Sequence, residues 1–95
     1  MKEIFGGKFL GKAFWIVTDR NSLDPETGIQ EACIKGVFTD PSKDQENWKL
    51  LETAVATLLC LAGYELASEL QKSNFHYDTN QNKWEIGAYL KKIHR

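Results

Sequence analysis

Between residues 40 and 72, apolar side chains recur at three- and four-residue steps. Trp48, Leu51, Val55, Leu58, Ala62, Leu66 and Leu70 fall on one helical face. Asp40-Pro41 is a start signal, because Asp accepts bonds from free N–H groups and Pro suits the first helical position. Ser42 with Gln45 offers a capping box, and Asp44 and Glu46 sit near the positive end of the helix dipole. Lys72-Ser73-Asn74 supplies an end. The pattern predicts one long helix over residues 41–72. Such a helix would measure roughly 45 Å at 1.5 Å per residue, more than the width of a small sheet. Either an end projects, or the helix meets a second copy or a partner. A second stripe, Thr53, Ala56, Cys60, Gly63 and Ala67, is small throughout. It would let another backbone approach and is the candidate self-association surface. Residues 54–62 are apolar on nearly every side, so the middle should be buried. That run is too short to cross a bilayer, which takes roughly 20 residues.

Strand patterns lie on either side. Residues 2–19 are strand-like, with an unbroken apolar run at 13–17. Gly6-Gly7 reads as a tight turn making a small leading hairpin, and Gly11 as a bulge. Residues 19–28 hold Asn, Ser, Asp-Pro and Gly and form a long loop. In 29–39, Ala32, Ile34 and Phe38 are the expected core side, with Glu31 and Lys35 pointing out. This strand should pair antiparallel with the preceding one. Phe75 to Asp78 reads as a short strand and 79–82 as a turn. Trp84 to Ile93 fits a strand, and also a helix capped by Asn82 with Glu85 as its reciprocal partner. The polar turn between two aromatic runs favours the hairpin. The expected fold is α+β: a four-stranded antiparallel sheet in ββαββ order, with one long central helix packed on one face. Its strands lie at about 8–19, 28–39, 74–78 and 83–93 of a single domain, 1–95.

Composition narrows the function classes. A net charge of −1 gives no electrostatic reason to hold bulk nucleic acid or an anionic membrane. The first residues lack the apolar core of a signal peptide. Cys33 and Cys60 sit in apolar contexts without CxxC spacing, so both are expected as buried thiols of a cytoplasmic protein. His76 lies between aromatics and His94 near the last residue, and no HxH, HExxH or GxSxG motif accompanies them. Gly6-Gly7-Lys8 lacks the phosphate-loop frame. No metal site, cofactor or catalytic residue is expected.

Two features remain. The 19–28 loop is acidic, through Asp19, Asp24 and Glu26, and an acidic loop can dock on a basic surface of another protein. Aromatics exceed what a small core readily absorbs, and Phe75, Tyr77, Trp84 and Tyr89 share one predicted hairpin. These seven residues are the candidate partner-binding set. The sequence thus carries the expectation of a non-enzymatic protein that binds and blocks or holds a macromolecular partner, most simply another protein. Inhibitors and immunity proteins of bacteria and phages are the analogous class. The alternatives are a homodimeric module joined through the small-residue stripe, and a small binder of single-stranded nucleic acid.

Overall fold

A computed structural model describes residues 2–93 of the chain. Six strands and one α-helix follow the order β1 (Lys2–Phe9), β2 (Lys12–Asp19), β3 (Ile29–Val37), α1 (Gln45–Ala62), β4 (Tyr64–Leu66), β5 (Phe75–Asp78) and β6 (Lys83–Lys92). The sheet runs β1-β2-β3-β6-β4, and β5 also pairs with β6. Every pairing is antiparallel. The helix packs on one face. Ile16, Ile34, Ile86 and Leu90 from the sheet meet Leu51, Val55 and Leu59 from the helix in the core. Each such side chain contributes about 1.5–3 kcal/mol by leaving water.

The expected four-stranded ββαββ sheet is therefore replaced by six strands around one helix. Two local causes account for the difference. Gly6-Gly7 is not a turn but the middle of β1. Gly7 is there because the Phe14 ring occupies the space of a side chain, 2.9 Å from where its Cβ would stand. The reversal comes later, at Leu10 (φ 52°) and Gly11 (φ 75°), the two positive-φ residues of a tight hairpin. The second cause is Gly63. At φ 88° it is a left-handed cap whose N–H bonds back to Leu59 and Cys60 carbonyls, so the helix stops at Ala62 rather than at residue 72. Its start also moves, to Asp44, whose carboxylate accepts the Glu46 N–H, while Asp40 caps a short 3-10 turn at Pro41–Lys43. The helix has 18 residues, about 27 Å. No projecting end remains to be explained. Leu66 and Leu70 still face inward, one from a strand and one from a loop, which is why they mimicked a helical stripe.

The sheet curls around the helix. β1 and β4 stand at opposite ends of the strand order. Yet the Phe5 and Tyr64 rings are 5.8 Å apart, and the Tyr64 hydroxyl donates to Glu3 Oε1 at 3.1 Å. The helix-facing side is therefore concave and the other side convex. Arg20 Nε also donates to Glu3 Oε1, at 2.6 Å. Partial burial pushes the Glu3 carboxyl up, but the bonds from Arg20 and Tyr64 and the charges of Arg20 and Lys92 outweigh it. Its pKa lies below the ordinary carboxylate value. Ionised Glu3 thus stabilises the fold above the ordinary value, and that contribution disappears as pH falls through the lowered one. Arg20→Gln is expected to flatten the acid side of the stability–pH curve in urea titrations. An unchanged slope would deny Glu3 this role.

Candidate binding groove at the loop end of the open face

Among the described residues, no α-helix covers the convex face. Glu31, Cys33 and Lys35 of β3 point onto it, beside Trp15 and Val17 of β2 and Glu85, Gly87 and Tyr89 of β6. The outward placement of Glu31 and Lys35 follows strand alternation. Phe38 departs from it. The strand ends at Val37, Phe38 turns to φ 54°, and its ring is half exposed beneath the Lys12 ammonium.

The 19–28 loop is built in two closed steps. Asp19 caps a 3-10 turn at Arg20–Ser22 by accepting the Asn21 N–H. Asp24 then accepts the Glu26 N–H on its side chain and the Gly28 N–H on its carbonyl, while its own N–H bonds to Ile29. Gly28 closes this turn at φ 75°. The loop is thereby held against the start of β3.

Opposite lies a break in the sheet edge. β4 pairs with β6 as far as Leu66 beside Leu90, and β5 resumes at Phe75 beside Ile86. Between them the chain leaves the edge after Ala67, whose N–H reaches the Tyr89 carbonyl. Two adjoining cavities fill the space. One, of about 440 Å³, lies between Asp24, Thr27, Ser68 and Tyr89. The other, of about 510 Å³, lies between Glu69, Gln71, Asn74 and Gly87. They share Glu31, Ser68 and Tyr89, so they form one groove. Asp24, Glu31 and Glu69 line it, with no Lys or Arg among its lining residues. Tyr89 is 49% exposed at its centre.

The candidate partner set is thus divided. Asp24 and Tyr89 come together in the groove. Asp19 serves as a turn cap, and Glu26 is exposed at the loop tip. Phe75 and Trp84 belong to the core: their rings stack at 5.8 Å, and Phe75 meets Trp48 edge-on at 5.7 Å. Tyr77 is half-buried with its hydroxyl 3.4 Å from Asn82 Oδ1. Glu31, Ser68 and Glu69 were absent from the expected set. Glu31 could have been found from its outward position in β3. Ser68 and Glu69 could not, because a helix was expected there.

The self-association stripe is divided too. Thr53, Ala56 and Cys60 lie on the exposed side of α1, Gly63 is its cap, and Ala67 lies beyond β4. Cys60 is exposed, not buried. Cys33 is half-buried, and its thiol lies 3.8 Å from Glu85 Oε2. Burial and the adjacent Glu85 charge push the Cys33 pKa up, which disfavours the nucleophilic thiolate. Among the described residues, no group of three or more His, Cys, Asp or Glu is placed to hold a metal ion. No helix there is long and apolar enough to cross a membrane.

The fold and the groove define an open-faced α+β domain with an acidic groove at one end of its uncovered face. Comparison with known protein families, curated proteins and solved structures finds no match to this chain.

Proposed function

We propose that the protein is a non-enzymatic binder that holds or blocks a macromolecular partner, and that the partner is a protein presenting a basic segment. The observation that carries this reading is the groove: three carboxylates, no cation and one exposed tyrosine, in a space bounded by an ordered loop and a broken sheet edge. Such a surface suits Lys or Arg side chains, with Tyr89 as the aromatic anchor. An inhibitor or immunity-type role, bacterial or phage, agrees with a small domain that works through one surface. Two unpaired thiols favour a reducing compartment, so the cytoplasm is the proposed location.

Charge reversal tests the reading. The wild type, immobilised, is expected to retain a partner from the native lysate and to release it as salt rises. Asp24→Lys/Glu69→Lys should lose that partner, whereas Glu52→Lys on the helix should keep it. Retention by the groove variant would refute the assignment.

A further inference from the structure

A second cleft, of about 410 Å³, lies at the other end of the open face, where the β5–β6 turn rises beside β3. Trp15, Lys35, His76, Lys83 and Glu85 line it, with Asp78 at the turn. We propose that this cleft binds a nucleoside phosphate, with the base on the Trp15 indole and the phosphate between Lys35 and Lys83.

The sheet register sets the spacing. Trp15 stands directly opposite Lys35, and Lys35 directly opposite Glu85. Lys83 is two residues from Glu85 and so is the diagonal neighbour of Lys35. Diagonal neighbours lie about 7–8 Å apart, within reach of two long side chains that converge on one anion. An indole beside them offers a stacking surface for a base. Trp48 and Trp84 are buried, and Trp15 is half-buried beside Gly6, which has no side chain to cover it.

The lining is formally balanced, with two lysines against two acids. Hydrogen bonding fixes where the two acids point without removing their charge. Asp78 Oδ1 already accepts the Asn80 and Gln81 N–H groups, and Glu85 Oε2 takes the Cys33 thiol. Among the described residues, neither Lys35 nor Lys83 has a carboxylate within ion-pair distance. Neither ammonium is consumed by an ion pair, so an anion held between Lys35 and Lys83 would satisfy both at once. His76 is exposed on its wall and supplies a further ring donor. The source of the nucleotide, free in solution or carried in a single strand, shares this chemistry.

Intrinsic fluorescence provides the test, because Trp15 is the least buried of the three indoles and lines the cleft. Adenosine monophosphate and uridine monophosphate are expected to quench it saturably. Adenosine, without the phosphate, should bind about tenfold more weakly, as should the monophosphates to Lys35→Ala/Lys83→Ala. Calorimetry on Trp15→Leu, folded by circular dichroism, should show the same order of loss. An oligothymidylate arm separates the sources: tighter binding than the mononucleotide with a steep salt dependence identifies a strand, and equal binding identifies a free nucleotide. Absence of saturable quenching by all probes overturns the proposal. So does equal binding of adenosine and its monophosphate, or full affinity in the double lysine variant. These outcomes leave the acidic groove untouched, since none of its residues is altered.

Discussion

Gly36→Ala is expected to lower the unfolding free energy by about 3 kcal/mol, at the upper end of ordinary overpacking. Gly36 of β3 pairs with Trp84 of β6, and the indole lies across the glycine. An alanine Cβ would stand 2.2 Å from both Trp84 Cε2 and Cζ2. The ring has little room to retreat, because Phe75 stacks against it and Trp48 meets Phe75. Relief would have to come from the β3–β6 backbone, the central pairing of the sheet. Urea unfolding of the variant measures the loss. A change below about 0.5 kcal/mol, the range of a neutral surface substitution, would mean that Trp84 does not cover Gly36.

Leu59→Ala is expected to cost about 3 kcal/mol, within the range for a leucine truncated in a packed core. Leu59 is fully buried on the sheet-facing side of α1. The same truncation at Leu61, which is 82% exposed, should cost no more than about 0.5 kcal/mol. The comparison fixes the rotation of the helix on the sheet. Similar losses at both positions would place a different face inward.

Neither position was legible in the sequence: the helical pattern put Leu58 on the inward face where the fold buries Leu59, and nothing local marks Gly36 as lying under Trp84. Alternation in 29–37 correctly turned Ile34 inward and Glu31 and Lys35 outward, because a strand with one covered face must alternate. The polar turn between aromatic runs likewise placed the β5–β6 hairpin. The failures have physical causes as well. Gly-Gly is a strong turn signal, but in β1 the demand on Gly7 was close approach by Phe14, a tertiary contact invisible to local pattern. The true turn used Leu10 at positive φ, a residue that does not advertise one. Gly63 does not read as a stop, because small residues and well-spaced leucines continue beyond it. Once the helix ends there, Thr53, Ala56 and Cys60 no longer belong to one stripe with Gly63 and Ala67.

The candidate site was legible only in part for the same reason. An acidic loop and a surplus of aromatics suggested a docking surface, but neither specified which aromatics the core would consume. Trp84 went to the core and Phe75 packs against it. Tyr89, one residue beyond the inward Ala88, stayed out by alternation alone. The groove depends on the break between β4 and β5, and hence on the early helix stop that redirects the chain.

The groove beside Asp24 and Tyr89 is the proposed partner-binding surface. Amide chemical shifts of the ¹⁵N-labelled protein, recorded while the captured partner is added, test it most directly. Perturbations are expected to concentrate at residues 22–31, 67–69 and 87–89. Perturbations confined to the exposed side of α1, or spread evenly over the molecule, would contradict it.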